Sequence, residues 1–310
     1  MRVIFFGTGD YGIPSLKRLA TSGHDIVAVV TQPDKRQGRG WNFMPHPIKA
    51  ISEKVFPGTD IFQPENVNSE DFIAAVKSKD ADLFVVIDYG QFLCKKVLDM
   101  PKKFCVNLHA SLLPKYRGAS PVNWAVVRGE TETGNTVFRM NERMDAGDVI
   151  ASSRVRIGEA ETTVELSERL SLNGAELLVK TLDSIASGGT VFEKQDDVKA
   201  TYAPKLKKED GRIDWTRSAE EIMRQIRGMQ PWPGAYTLLR GKILKIFQSE
   251  IVDDVTGIAP GSIAYTEDFT VETGKGALRL KLLQLEGKKC MENYKFLRGF
   301  RLEKGEPLGE

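Results

Sequence analysis

The stretch VIFFG, residues 3–7, is a short apolar run that ends at a glycine. A strand that is buried on both faces of a sheet has this pattern, because neither side of it meets water. Ile13, Leu16 and Leu19 follow at three-residue steps, which is typical of one face of a helix. The chain therefore begins with a predicted strand and helix, the first half of a βαβ unit.

The same alternation continues through the first half of the chain. Further strands are predicted at 26–30, 83–87, 104–108, 136–140 and 149–156, and further helices at 72–76 and 164–187. Strands that alternate with helices form a mostly parallel sheet, and ligands bind beyond the carboxyl ends of its strands. Four residues at or just after strand ends are expected along that edge: Gly7, Thr31, Asp88 and His109.

The pattern changes beyond Gly188. A polar stretch without periodicity follows and is typical of a connection. After it come one predicted helix and several short alternating runs, at 219–227, 242–247, 262–264 and 277–285. We therefore predict an α/β protein in three parts: a Rossmann-like domain with a mostly parallel sheet (1–189), a linker (190–207) and a smaller, OB-like β-barrel domain (208–310).

The composition of the 310 residues limits the classes of function. The 44 basic and 42 acidic residues nearly cancel, so the overall charge does not indicate nucleic-acid binding. Three cysteines without metal-ligand spacing fit a reducing cytoplasm, and the absence of any 18-residue apolar run predicts no membrane span. The segment 275–304 is a local exception, because nine basic and three acidic residues make it a candidate phosphate-binding face.

Two residues at the end of the fourth predicted strand carry candidate chemistry. Side chains two positions apart on a strand share a face, so Asn107 and His109 enter the same space. An amide and an imidazole suit an acyl oxygen that gains negative charge. Asp145, in a glycine-containing turn between two predicted strands, is the candidate base and orienting carboxylate. A lone histidine is more often structural, so the hypothesis requires the fold to bring Asp145 across.

Other kinds of chemistry find little support. The sequence contains no G-x-S-x-G turn, the usual signature of a serine nucleophile in an α/β fold. His24 and His46 lack partners at metal-ligand spacing, so no metal site is predicted. These absences favour direct acyl transfer between two bound substrates, without a covalent enzyme intermediate.

The turn Gly7-Thr8-Gly9-Asp10-Tyr11-Gly12 matches the dinucleotide-binding pattern G-x-G-x-x-G. That pattern also requires an acidic residue at the end of the second strand, to hold the ribose hydroxyl groups. Asp34 lies beyond a proline and past that strand end. A dinucleotide-dependent oxidoreductase therefore stays open as an alternative that depends on this turn alone.

The segment NLHASLLP (107–114), followed by Arg117-Gly118, and MDAGD (144–148) resemble the signature of the 10-formyltetrahydrofolate-dependent formyltransferases. Asn107, His109 and Asp145 match the catalytic trio of that family. The resemblance implies that an amine attacks the formyl carbon of 10-formyltetrahydrofolate, with no metal involved. Asn107 and protonated His109 would stabilise the oxyanion, and Asp145 would orient His109 and accept the proton of the amine.

Further segments resemble methionyl-tRNA formyltransferases and are spread over nearly the whole chain. They are TQPDKRQGRG (31–40), YAPKLKKEDGRIDW (202–215), PWPGAY (231–236) and GALRLKLLQLEGKK (276–289). The resemblance implies an initiator methionyl-tRNA acceptor and a cytoplasmic monomer without membrane association. The implied folate-site residues are Ile87, Tyr89, Gly90, Gln91, Ser111, Leu112, Leu113 and Pro114. The implied tRNA-binding residues, the last three of which lie in the basic segment, are Arg39, Trp41, Lys281, Lys288 and Lys289.

Two positions depart from the family pattern. Asp88 precedes Tyr89-Gly90, where the family has a small residue, and a carboxylate there bears on the folate contacts. Trp41-Asn42 stand where the family often has lysines, so that loop is less basic. Two alternatives stay open beside the oxidoreductase. A formyltransferase acting on an amino-sugar nucleotide would share the trio, whereas a non-catalytic tRNA-binding protein would not need it.

Overall fold

The computed structural model describes residues 1–37, 42–253 and 256–309. The chain divides into two compact units, each built from separate stretches of sequence. The first unit comprises Met1–Gly118, Glu132–Arg156 and Ser167–Ala203, and the second comprises Ala119–Thr131, Ile157–Leu166 and Pro204–Glu310. Within the described ranges, no helix is both long enough and apolar enough to cross a membrane.

Helices occur in both units. They are α1 (Ile13–Leu19), α2 (Pro47–Val55), α3 (Glu70–Lys77), α4 (Lys95–Leu98), α5 (Pro121–Val127), α6 (Thr163–Ser187), α7 (Ala219–Gly228) and α8 (Asn293–Gly299). The strands of the first unit are β1 (Arg2–Gly7), β2 (Asp25–Val30), β3 (Lys35–Gln37), β4 (Asn42–Met44), β5 (Asp60–Phe62), β6 (Leu83–Ile87), β7 (Phe104–His109), β8 (Glu132–Arg139) and β9 (Val149–Arg156). Of these, β3 and β4 form a separate two-stranded hairpin.

The other strands of the first unit form one sheet in the order β5-β2-β1-β6-β7-β8-β9. The strands from β5 to β7 pair in parallel, and β8 and β9 extend the sheet antiparallel. The prediction of a mostly parallel α/β sheet is confirmed. Because Gly7 pairs with Ile87 and Val86 pairs with Asn107, the carboxyl ends of β1, β6 and β7 are adjacent at one edge of the sheet.

Both faces of this sheet are covered, which explains why its central strands are uninterrupted apolar runs. Val3 and Phe5 of β1 pack on one face, in a core that includes residues of α1 and α6. Ile4 and Phe6 pack on the opposite face, in a core that includes residues of α3. Polar residues in the central strands are therefore expected only at the ends of the strands, where the cores on the two faces stop.

The second unit contains an antiparallel sheet. Its strands are β10 (Ala235–Leu239), β11 (Lys242–Val252), β12 (Ile263–Tyr265), β13 (Thr270–Glu272), β14 (Ala277–Leu285) and β15 (Met291–Glu292), in the order β10-β11-β14-β13-β12, with β15 on β14. The C-terminal tail joins the two ends of this order: Gly305 N donates to Ile263 O and Gly309 N donates to Leu238 O, each at 2.8 Å. The predicted small β-domain is confirmed, and its tail closes the sheet into a barrel.

Candidate active site

The strand β7 places two polar side chains at the edge of the sheet in the first unit. Val106 and Leu108 point into the core on one face, so Asn107 and His109 point to the other. His109 is 7% exposed, and Asn107 is half-buried. Among the described residues, the Asn107 side chain has no hydrogen-bond partner. Its amide is therefore available to a bound molecule.

The two ring nitrogens of His109 face different oxygen atoms. Nε2 lies 2.9 Å from the backbone oxygen of Tyr116, and Nδ1 lies 3.8 Å from Oδ2 of Asp145. A carbonyl oxygen only accepts, so Nε2 carries a hydrogen and donates it. Nδ1 is consequently the nitrogen that can take up or release a proton, and it does so beside a carboxylate.

Asp145 lies in the turn between β8 and β9, as expected. Its φ is +48°, an unfavourable conformation for a residue with a side chain, and its carboxylate faces both His109 and Gly118. Oδ2 accepts a hydrogen bond of 2.8 Å from the backbone N–H of Gly118. The other carboxylate oxygen has no hydrogen-bond partner among the described residues, which leaves one acceptor site for a substrate proton.

One short turn, Tyr116-Arg117-Gly118, holds both candidate catalytic groups. The Tyr116 carbonyl fixes the His109 ring, and the Gly118 amide fixes the Asp145 carboxylate. Gly118 has a φ of +123°, and a Cβ there would collide with the backbone oxygen of Ala203, so only glycine fits. The sequence interpretation included Arg117-Gly118 in the family motif but assigned this turn no role.

The segment after His109 includes half of the residues implied for the folate site. Ser111 is buried, and its hydroxyl donates to the backbone oxygen of Lys115 at 2.6 Å. Leu112, Leu113 and Pro114 are half-buried, so they present apolar surface that solvent reaches. The residues of this surface come directly after the strand that carries Asn107 and His109.

The loop after β6 contains the other implied folate-site residues. Ile87 and the Tyr89 side chain lie in the core, where the Tyr89 ring packs edge-on against Phe6 at 5.5 Å. Gly90 is exposed. The Gln91 side chain joins two backbone groups of a neighbouring loop, the N–H of Val67 at 2.9 Å and the oxygen of Pro64 at 3.2 Å. Between Ile87 and Gln91, the exposed surface is thus formed mainly by backbone and by Asp88.

Asp88 is the unusual residue of that loop. Asp88 is an exposed residue, yet enough protein atoms surround its carboxyl group for burial to affect it. Burial, and then the charge of Asp10, raises the pKa of Asp88 to about 6. The carboxylate lies directly against Gly9, close enough to leave no space for a Cβ there. A negative group at this turn opposes the phosphate of a dinucleotide, which argues against the oxidoreductase alternative.

The residues implied for tRNA binding fall into two groups. Arg39 and Trp41 lie outside the described residues. In the barrel, the Lys281 side chain is 44% exposed, and its Nζ lies 3.4 Å from a carboxylate oxygen of Glu250. Lys288 and Lys289 are exposed after β14, and their ammonium groups have no partner within the described ranges. Those ranges also contain no group of three or more His, Cys, Asp or Glu side chains suited to holding a metal ion.

Comparisons with known proteins place the chain in a family. The model described as formyl transferase matches residues 1–182, and the model of the formyl transferase C-terminal domain matches residues 205–301. The methionyl-tRNA formyltransferase of Geobacter metallireducens is 44% identical over 311 residues, which cover 100% of this chain and 99% of that relative.

Two solved structures share the fold at low identity. HypX from Aquifex aeolicus in complex with tetrahydrofolic acid matches with a TM-score of 0.64 and 18% identity, over 98% of this chain and 48% of that one. An N-formyltransferase from Helicobacter canadensis, in complex with folinic acid and dTDP-3-aminofucose, matches with a TM-score of 0.66 and 16% identity, over 93% of this chain and 100% of that one. From its two family models and its full-length relative, the chain belongs to the formyl transferase family.

Proposed function

We propose that this chain transfers the formyl group of 10-formyltetrahydrofolate to the α-amino group of the methionine on initiator methionyl-tRNA. The acceptor is supported by 44% identity over the full chain to a methionyl-tRNA formyltransferase. The donor is supported by the tetrahydrofolic acid that a fold neighbour binds. The observation that carries the chemistry is the His109–Asp145 pair at the end of β7, which one turn of chain holds in place.

The proposed reaction begins when the neutral amine attacks the formyl carbon and forms a tetrahedral intermediate. The Asn107 amide and protonated His109 donate hydrogen bonds to its negatively charged oxygen, a stabilisation that acts mainly in the transition state. Because Nε2 of His109 donates to the Tyr116 carbonyl, Nδ1 is the nitrogen that faces the reacting groups.

Proton transfer completes the proposed reaction. The amine gives its proton to Asp145, whose second carboxylate oxygen has no competing partner among the described residues. His109 gives a proton to N10 of the folate as the bond between N10 and the formyl carbon breaks, and Asp145 returns a proton to His109. One proton leaves the amine and one reaches N10, so the step needs no further reactant.

The folate site in this proposal combines both loops at the edge of the sheet. The apolar surface of Leu112, Leu113 and Pro114, supported by Ser111, forms one wall. The loop from Ile87 to Gln91 forms the other, with Tyr89, Gly90 and Gln91 contributing mainly backbone groups. Burial of an apolar ring system against such a wall stabilises binding by about 25 cal/mol per Å² of surface removed from water.

The tRNA site in this proposal uses Arg39, Trp41, Lys281, Lys288 and Lys289. The exposed ammonium groups of Lys288 and Lys289 support it, because unpaired cations on a barrel can neutralise backbone phosphates. We assign catalysis to residues 1–189, linkage to 190–207 and tRNA binding to 208–310, in a monomer that works in the cytoplasm.

The decisive experiment supplies 10-formyltetrahydrofolate together with either methionyl-tRNA or a 4-amino sugar nucleotide. We expect formylmethionyl-tRNA as the product, with one tetrahydrofolate released per formyl group transferred. Formylation of the sugar alone would reject the tRNA acceptor. Turnover of neither acceptor would reject both formyltransferase hypotheses for these conditions, provided that the folate is shown to bind.

A further inference from the structure

The segment 193–203 borders both loops that hold the candidate catalytic pair. Its first residue pairs with Val149, at the start of β9, through two backbone hydrogen bonds of 2.8 Å. Near its other end, Thr201 accepts hydrogen bonds of 2.9 Å from the backbone N–H groups of both Tyr116 and Arg117. The segment therefore connects the turn of the candidate base with the turn that orients the histidine.

Gln195 is the centre of this connection. It is 8% exposed and uses every polar atom of its side chain. Its Nε2 donates to the backbone oxygens of Asp145 at 2.9 Å and Gly147 at 2.7 Å. Its Oε1 accepts from Nε and Nη2 of Arg117, at 3.1 and 2.8 Å. Since carbonyls only accept and a guanidinium only donates, one orientation of the amide satisfies all four contacts.

Arg117 holds Gln195 in place. The arginine is 2% exposed, and its guanidinium cannot reach solvent without breaking its hydrogen bonds. A buried cation requires an anionic or strongly polar partner. Asp197 supplies one at 2.8 Å, and it also accepts from Arg143, on the Asp145 turn, at 2.9 Å. Hydrogen bonds from Arg117, and then from Arg143, lower the pKa of Asp197, which keeps the anion in place.

The Asp145 turn needs such support. With a φ of +48°, the Asp145 backbone is in a conformation that costs a non-glycine residue free energy, so the surroundings must hold it. We propose that Gln195 is a positioning residue for formyl transfer, which holds the backbone of the Asp145 turn so that the carboxylate stays within reach of His109. The inference deepens the proposed function and rests on it for its kinetic readouts.

The test compares Gln195→Glu and Gln195→Met with a matched control. Gln195→Glu keeps the shape and the acceptor for Arg117 but presents oxygen instead of N–H to two carbonyls. Gln195→Met keeps the volume and loses all four hydrogen bonds. For both we expect kcat for methionyl-tRNA, normalised to folded protein, to fall about 10- to 100-fold, with KM for the folate within about 3-fold.

The control is Gln225→Met in the second unit. Gln225 is 5% exposed and also donates to two backbone carbonyls, those of Asp210 at 2.8 Å and Arg212 at 3.0 Å. We expect a lower melting temperature and an unchanged kcat. If the Gln195 variants keep wild-type kcat, or if both are unfolded while Gln225→Met folds, Gln195 is a structural residue and the proposal is overturned.

Coupling to Asp145 separates positioning from general destabilisation. Because Gln195 acts through Asp145, Gln195→Glu should cost less than about 3-fold in kcat when Asp145→Asn is already present. The same 10- to 100-fold loss in both backgrounds would overturn the proposal, since it would show that Gln195 acts by another route.

A spectroscopic readout separates this inference from the proposed function. The chain has three histidines, so the NMR signals of the His109 ring can be assigned by single replacements. We expect Gln195→Glu, and not Gln225→Met, to shift the His109 signals in the substrate-free protein. Shifted signals without methionyl-tRNA formylation by the wild type would reject the proposed function and keep the positioning role. Unshifted signals in an active enzyme would reject the positioning role alone.

Discussion

Asp145 and Asp88 lie in two loops of the first unit and share an unusual backbone conformation, with φ of +48° and +47°. Their carboxylates differ in their hydrogen-bond partners. That of Asp145 accepts a hydrogen bond from Gly118 and faces His109. That of Asp88 has no hydrogen-bond partner among the described residues, and burial raises its pKa to about 6. The two residues share their type and their backbone φ, so the hydrogen-bond donor from a neighbouring loop is what distinguishes the surroundings of the two carboxylates.

Replacing His109 has the largest expected effect, because it removes the group that the Asp145 carboxylate faces. We expect His109→Ala to lower kcat about 10³-fold, because it removes both an oxyanion donor and the proton shuttle. The measurement is single-turnover formylation of methionyl-tRNA, with folding checked by circular dichroism. His24→Ala is the matched control: His24 lies just before β2, and its Nε2 lies 3.2 Å from a carboxylate oxygen of Asp183. An equal loss in both variants would contradict the role of His109.

The second prediction compares the two aspartates directly. Asp145→Asn tolerates the same backbone conformation and still accepts from Gly118, but it lacks the charge beside His109. We expect kcat to fall about 10²-fold. Asp88→Asn should keep kcat within about 3-fold, because Asp88 has no proton to move in the proposed reaction. If the Asp88 variant loses as much activity as the Asp145 variant, the proposal that only Asp145 takes part in proton transfer is wrong.

The sequence predicted the central strands of this edge because burial on both faces leaves an unambiguous apolar run. The start of β8 was predicted wrongly, at residue 136, and the strand begins at Glu132. The cause is Asn135, a fully buried polar residue whose amide donates to Leu170 O at 2.9 Å and to Asn173 Oδ1 at 3.1 Å. A buried polar group that is satisfied by a distant helix interrupts the apolar run by which a strand buried on both faces is recognised.

The candidate trio could be identified from the sequence, but its support could not. Asn107 and His109 share a face by strand periodicity alone, the glycine-containing turn made Asp145 a candidate base, and the family motif supported that choice. Gln195 lies in a segment without periodicity, and its hydrogen bonds reach residues 48 to 78 positions away. Such contacts between a side chain and distant backbone leave no local pattern. The closure of the barrel by the C-terminal tail was missed for the same reason.

The third prediction concerns the pH dependence of stability. Asp88 has a pKa of about 6 in the folded chain against 3.8 ordinarily, so the folded chain binds a proton in this range that the unfolded chain has released. The free energy of unfolding therefore falls as pH rises from about 4 to 6, and the loss is complete above pH 6. Because solvent reaches the carboxylate, we expect Asp88→Asn to stabilise the protein by only about 1 kcal/mol at pH 7.5.

Urea unfolding at several pH values measures this effect. The stabilisation should disappear below about pH 4, where Asp88 is protonated in both the folded and the unfolded wild-type protein. Asp80→Asn is the control, because Asp80 has a φ of +49° but its carboxylate lies 2.5 Å from the ammonium group of Lys102. It should give no stabilisation at pH 7.5. Equal behaviour of the two variants would show that backbone conformation, and not the missing partner, dominates.

The smallest expected effect concerns lysines of the barrel, which differ in whether a carboxylate lies beside the ammonium group. Lys288 and Lys289 have no partner within the described ranges, whereas Lys281 lies beside Glu250. A cation that must leave a carboxylate to bind a phosphate contributes less to binding than one that is hydrated. We expect the double replacement of Lys288 and Lys289 by alanine to weaken tRNA binding about 3- to 10-fold and to reduce the salt slope by about 1 to 2. Lys281→Ala should change the dissociation constant less than about 2-fold, and a larger effect than that of the double variant would place the tRNA on the strand face instead of the turn after β14.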